Sequence, residues 1–336
     1  MKAAYVKSPF KVEIREFPIR EITDDEVIVK VKACGICGHD LSVASTEAKD
    51  WKPFGHEISG TVEKTGKKVE HVKPGDKVVL ETGTYDRFSK AARNGQPELD
   101  NKGPNFWETG PMGFADYIVV PKETVVPFET MDFDEACMIE PLGVALDMAY
   151  TADINLNDDV LVIGLGPIGL MALQLAKIMG ARNIYGAELS ECDKRLAIAE
   201  KIGATTIKSD KEPLESYPFP RKGVDKILIT APPKLIEPAI EITNWGGIIS
   251  FIGIEYGKNA NITFDANTFH FNKIQLRSSF ASPALYFPRC IELVEAGLID
   301  LKSLMGQKFE LENLEQELKR LINNKSTALK SIMINK

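Results

Sequence analysis

Long hydrophobic runs are missing from this chain. The longest apolar stretch begins at Val160, is interrupted by glycine and proline, and is closed by Lys177. A membrane helix needs roughly 20 apolar residues, so no membrane span is expected. The N-terminus, Met1-Lys-Ala-Ala-Tyr-Val, lacks the apolar core of a secretory leader. Cysteine is scarce and odd in number: Cys34, Cys37, Cys137, Cys192 and Cys290. Five thiols without a leader argue against a disulfide framework and for a reducing, cytoplasmic setting. An excess of basic charge is also absent. Lys and Arg total 41 against 48 Asp and Glu, a net charge of −7, which argues against nucleic acid or an acidic membrane as partner. No internal repeat, low-complexity segment or long linker interrupts the chain.

What remains is ordinary for a globular protein: 336 residues, 44% hydrophobic and 26% charged, enough for two domains with cores of their own. Residues 1 to about 80 are β-rich, with apolar residues alternating or clustering at 2–6, 12–17, 26–33, 57–65 and 77–80 between turn signals. Residues 81–113 form a polar excursion, and a long loop in a compact domain is usually functional or mobile. Phe114 to Pro121 returns to strand. Phe133 to Tyr150 reads as a helix, with a kink or break expected at Pro141. From 153 to about 280, strands near 160–163, 184–187, 205–207, 226–230, 247–252 and 275–279 alternate with helices near 168–179, 191–202, 234–243 and 266–271. That alternation indicates an α/β, doubly wound parallel sheet. An amphipathic helix at 284–297, another at 314–322 and a last strand at 329–334 most simply return to the N-terminal β domain. The expected domains are therefore 1–150 with 283–336, and 151–282 inserted between them.

The central stretch is Val160-Leu-Val-Ile-Gly-Leu-Gly-Pro-Ile-Gly-Leu170. A short buried strand runs into Gly164, Gly166 and Gly169 in the pattern G-x-G-x-x-G, and a helix follows. The first glycine permits the tight turn, the second lets backbone approach a pyrophosphate, and the third lets helix pack close to strand. Free N–H groups and the positive end of the helix dipole then face the phosphates. The next strand ends in Glu188, 19 positions past Gly169, where a carboxylate accepts hydrogen bonds from an adenosine ribose.

A second constellation lies earlier. Cys34-Gly-Ile-Cys37-Gly-His39-Asp40 ends a strand, and His56-Glu57 follows 19 positions after Cys37. Thiolate, imidazole and carboxylate together suit zinc, and a catalytic zinc keeps three protein ligands and one open position. Cys37 and His56 are two of the three. Glu57 and Glu140, the latter before Pro141-Leu142, compete for the third place.

Gly55-His56-Glu57-x-x-Gly60-x5-Gly66-x-x-Val69 resembles, without a gap, the signature of the zinc-containing alcohol dehydrogenases of the medium-chain dehydrogenase/reductase family. Cys37-Gly38-x-Asp40, Gly75-Asp76-Lys77-Val78, Glu140-Pro141-Leu142 and the glycine motif fall in the same order. Glu-Pro-Leu in place of a third cysteine is similar to the sorbitol, threonine and sugar dehydrogenase branch. The resemblance implies a central Rossmann domain inserted in a β-rich GroES-like catalytic domain, with metal and nicotinamide meeting in a cleft. It implies that Cys37, His56 and one or both of Glu57 and Glu140 hold zinc, and that Asp40 orients the histidine. Gly164, Gly166, Pro167, Ile168 and Gly169 would lie under the pyrophosphate and Glu188 on the ribose. Ile252-Gly253-Ile254 and Ser278-Ser279-Phe280 would line the nicotinamide end. The implied reaction is hydride transfer between NAD(P) and the secondary hydroxyl of a polyol, sugar or sugar acid, giving the ketone, with the metal as Lewis acid. Relatives of this kind are commonly homodimers or homotetramers.

Three departures from the family pattern matter. No cysteine falls in 81–113, where the family's structural-zinc lobe would stand, so one zinc per chain is expected and the segment is reshaped, with Phe88, Phe106 and Trp107 available to organise it. His39 stands where the family usually has Ser or Thr to pass on the alcohol proton, a task imidazole can perform. The turn after Glu188 is longer by about two residues. Glu188 favours NAD by repelling a 2′-phosphate, while Lys194 and Arg195 are within reach of one, as NADP would require. Two rival functions remain: a zinc-independent quinone or enone reductase of the same superfamily, and a non-catalytic nucleotide-binding protein.

Overall fold

A computed structural model describes residues 1–107, 109–255, 257–324 and 328–335. In chain order the strands are β1 (Lys2–Lys7), β2 (Lys11–Glu16), β3 (Glu26–Gly35), β4 (Lys52–Pro53), β5 (Glu57–Thr65), β6 (Lys77–Leu80), β7 (Tyr117–Pro121), β8 (Val125–Pro127), β9 (Asp159–Ile163), β10 (Asn183–Glu188), β11 (Thr205–Lys208), β12 (Val224–Ile229), β13 (Thr243–Phe251), β14 (Gln275–Ser278), β15 (Met305–Phe309) and β16 (Lys330–Ile334). The principal helices are α1 (Gly38–Ser42), α2 (Lys90–Arg93), α3 (Phe133–Ala136), α4 (Ile139–Thr151), α5 (Pro167–Ile178), α6 (Asp193–Ile202), α7 (Ile236–Glu241), α8 (Ala266–Phe271), α9 (Phe287–Glu295) and α10 (Leu314–Asn323). Two compact units emerge: 1–143 with 281–336, and 144–280. The first crossing between units falls within α4.

In the first unit, β3 is the spine. Its N-terminal half pairs with β7, its C-terminal half with β16, and its other edge with β5. A separate three-stranded sheet has the order β2-β1-β4. Val27, Val29 and Val31 alternate along β3 into a core shared with Ile58, Leu80, Ile118, Leu314, Leu318 and Met333, each buried side chain contributing about 1.5–3 kcal/mol. The C-terminal segment thus supplies both a strand and a helix to this core. The pairing register places Gly35 of β3 opposite Glu57 on one side and Ile332 on the other.

The second unit is one parallel six-stranded sheet in the order β11-β10-β9-β12-β13-β14, the two-halved arrangement that switches direction beside its first strand. All five residues of β9 are buried, which is why this strand reads as an unbroken apolar run. Its one charged member, Asp159, is fully enclosed but receives Arg182 (2.6 and 3.1 Å), Asn183 (2.8 Å) and Arg221 (2.9 Å).

Some elements differ from the sequence reading. The helix expected over 133–150 is two helices, and the break is at Cys137–Met138, before Pro141. Pro141 sits instead in the first turn of α4, where a missing N–H costs nothing. Within the excursion 81–113, Phe106 is fully buried but Phe88 is 74% exposed, so Phe88 does not organise the loop. A bridge between Gly83 and Asn105 and the pairing of Thr84 with Pro104 close it instead. Among the described residues no helix is long and apolar enough to cross a membrane.

Candidate metal centre and dinucleotide loop

Three donors converge in the first unit. Cys37 Sγ, a His56 ring nitrogen and a Glu57 carboxylate oxygen lie within 4.8 Å of one another. Cys37 caps α1 just after β3, while His56 and Glu57 open β5, so antiparallel pairing of the two strands brings the donors together. Asp40, three residues into α1, accepts a hydrogen bond from the Cys37 N–H (2.9 Å) and places its other oxygen 3.6 Å from His56 Nδ1. Burial opposes charge on both partners, yet their attraction wins. Asp40 is held below the usual carboxylate range, and His56 stands well above its ordinary value.

Glu57 is completely buried, and Lys330 of β16 meets it at 2.5 Å while also donating to the Ile36 carbonyl (3.1 Å). Burial works against the Lys330 charge, but Glu57, Cys37 and Glu140 raise its pKa. The second Glu57 oxygen has no hydrogen-bond partner, and His56 Nδ1 has only the 3.6 Å approach of Asp40. That oxygen rests over Gly35, where a Cβ would stand 2.0 Å from it. Orphaned buried atoms are rare in folded proteins. Here one points to a missing ligand, and the S, N, O donor set fits zinc. Of the two competing carboxylates, Glu57 belongs to the cluster and Glu140 does not. Glu140 is near enough to feel His56 and Glu57, and burial first, then Glu57, pushes its carboxyl up to about 7.

His39 is exposed, with its ring 6.1 Å from that of His56, and the Trp107 ring lies 5.4 Å from the His56 ring. Sequence reasoning missed Lys330, because nothing in a lone lysine near the end of the chain signals burial. It also missed Glu81, which is 9% exposed and whose carboxyl burial pushes up to about 8.

In the second unit, Gly164 has φ +92° and Gly166 caps α5, with Pro167 in its first turn. A Cβ on Gly169 would stand 1.9 Å from the Gly164 carbonyl oxygen, so glycine is obligatory there for steric reasons. Glu188 ends β10 beside this loop. Its carboxylate accepts from the N–H groups of Leu165 (3.0 Å) and Leu189 (2.9 Å) and pairs with Arg195 (3.3 Å). Gly253 lies against backbone, its would-be Cβ 2.2 Å from the Ala231 carbonyl oxygen, and its neighbour Ile254 is 71% exposed. Ser278 ends β14. Ser279 donates its hydroxyl to Asp147 at 2.5 Å, so that side chain is held in place.

Residues 23–130 match the alcohol dehydrogenase GroES-like domain, and residues 167–296 match the zinc-binding dehydrogenase family. A sorbitol dehydrogenase of Bacillus subtilis is 30% identical over 98% of this chain and 96% of its own length. Galactitol-1-phosphate dehydrogenase from Escherichia coli is 25% identical, with a TM-score of 0.86 over 100% of both chains. An Escherichia coli alcohol dehydrogenase complexed with the cofactor NADH is 25% identical, with a TM-score of 0.90 over 100% of this chain and 99% of that one.

Proposed function

Because the chain belongs to the zinc-containing alcohol dehydrogenase family, we propose that it oxidises a secondary hydroxyl of a small polyol, sugar or sugar acid to the ketone with NAD, and runs the reverse reduction. The observation that carries this reading is the convergence of Cys37, His56 and Glu57 with an orphaned carboxylate oxygen. These three would hold one zinc per chain, with Glu140 nearby as a further carboxylate. A zinc ion bound there supplies Lewis acidity, which lowers the pKa of an alcohol oxygen.

The chain's own residues do the rest. Asp40 fixes the His56 ring from its Nδ1 side, leaving the other nitrogen for the metal. Lys330 offsets the buried charge of Glu57. His39, exposed beside His56, passes the hydroxyl proton to solvent. The first-turn N–H groups of α5, which no helix satisfies internally, take the pyrophosphate, and Glu188 takes the adenosine ribose. Ile252, Gly253, Ile254, Ser278 and Ser279 stand at the C-terminal ends of β13 and β14, where such sheets bind their ligands, and serve the nicotinamide end. NAD bound there would accept the hydride from the carbinol carbon while the hydroxyl proton leaves by way of His39, so that ketone, NADH and H⁺ balance. Arg195 is engaged by Glu188, which supports NAD over NADP. The proposed assembly is a homodimer or homotetramer.

A panel of sugars, polyols, aldonic acids, threonine and simple alcohols, scored by nicotinamide absorbance with NAD and NADP, tests this reading. Activity is expected with zinc and lost on chelation. Chelator-insensitive turnover of quinones or enones would transfer the chain to the zinc-independent reading. Silence across the panel in zinc-replete protein would favour the non-catalytic one.

A further inference from the structure

A cavity of about 250 Å³ opens beside the metal centre, wholly within the first unit. At roughly 300 Å³ and upward, ligand pockets take whole drug-sized molecules, so this one suits the end of a small molecule and not a cofactor. Two of its walls, His39 and Trp107, are the rings that sit against His56. Phe54 and Met112 supply apolar surface, and Lys52 supplies a cation. The acid in the wall, Asp40, is buried and committed to Cys37 and His56. Asp50, two residues from Lys52, faces Lys7 at 3.9 Å. Lys52 itself is exposed and has no ion pair among the described residues. The cavity therefore combines an indole face, an imidazole and an uncommitted ammonium.

We propose that Lys52 is a specificity-determining residue, and that the preferred substrate is an anionic polyol whose phosphate or carboxylate group it holds while Trp107 covers the carbon chain. This rests on the dehydrogenase reading above and narrows its substrate class. An ammonium is a compact point charge that binds phosphate and carboxylate alike, so geometry at Lys52 admits both. The partly exposed indole gives a rigid apolar face with a polar edge, suited to the C–H face of a sugar chain. His39 completes the enclosure with a group that can accept or donate to a hydroxyl. Neutral polyols would leave Lys52 solvated and gain only the apolar contacts.

The test uses zinc-replete full-length protein with D-glucitol, D-glucitol 6-phosphate and D-gluconate, and the same trio in the galacto and manno configurations. At least one anionic member should exceed its neutral parent tenfold or more in kcat/KM, with the difference in KM. Lys52→Met should reduce that preference at least tenfold, Lys52→Arg should keep most of it, and Lys49→Met, a control at an exposed lysine outside the cavity, should not change it. Phosphate and carboxylate arms read out which anion is preferred. A preference equal in wild type and Lys52→Met, or neutral parents turned over as well as their anionic partners, overturns the proposal while leaving the dehydrogenase reading intact. If nothing in the panel is turned over, the dehydrogenase reading fails for these substrates and fluorescence decides this one. Quenching by the anionic polyol that needs both Trp107, tested by Trp107→Phe, and Lys52 supports it, and its absence overturns it.

Discussion

Glu81→Gln should stabilise the first unit, and increasingly so as pH rises. The Glu81 carboxyl is 9% exposed, on the wall of a groove of about 880 Å³, and burial alone pushes its pKa from 4.5 to about 8. In the unfolded chain the group ionises near its ordinary value. Between about pH 4.5 and 8 the unfolded state has therefore lost a proton that the folded state keeps, so stability falls with rising pH across that window and levels off above it. At 1.36 kcal/mol per pH unit, the full cost is of order 4–5 kcal/mol. Below 1 kcal/mol is felt at pH 5, and about 3 kcal/mol at pH 7. Glutamine keeps the shape and removes the titration. The stability difference between variant and wild type should thus widen by about 2–3 kcal/mol from pH 5 to pH 7. In a unit of this size that amounts to roughly 4–12 °C in Tm, at about 2–4 °C per kcal/mol. Thermal unfolding followed by tryptophan emission measures it, since Trp51 and Trp107 both lie in this unit. Parallel Tm curves for the two proteins from pH 5 to 8 would refute the argument, because they would mean that Glu81 is ionised in the folded state at no cost.

Other perturbations separate the remaining parts. Lys330→Met leaves Glu57 buried without its partner and should destabilise the metal-free protein by about 3–5 kcal/mol. Adding Glu57→Gln should restore most of that, and denaturant melts of the single and double variants decide it. Asp40→Asn should weaken zinc retention about 10–100-fold, read by competition with a chromogenic chelator, and unchanged retention would remove Asp40 from its orienting role. Gly169→Ala drives a methyl into the Gly164 carbonyl. At about 1–3 kcal/mol for overpacking, NADH binding should weaken some ten- to a hundredfold by fluorescence titration, with zinc content unaltered. His39→Ala should slow turnover and shift its pH profile, and an unchanged profile would end the proton-relay assignment.

Much of this protein is written locally. The apolar run of β9, the three glycines and the acid at the end of β10 specify strand, turn and helix through steric rules that act within a few residues, and the structure has them in that form. Cys37 and His56, with a carboxylate from either Glu57 or Glu140, could be paired in advance because thiolate, imidazole and carboxylate near strand ends share a chemistry that spacing alone suggests. Choosing between Glu57 and Glu140 was different. The register of β3 with β5 puts Glu57 over Gly35 and groups it with Cys37 and His56, a placement that spacing along the chain does not reveal. Lys330 enters the site only because β16, from the far end of the chain, pairs with β3, and the burial of Glu81 depends on neighbours distant in sequence. Periodicity and motif chemistry act over a turn or a hairpin. Burial and long-range pairing are decided by how the whole unit closes, and those are the terms that hold Asp40 down and push Glu140 up beside this centre.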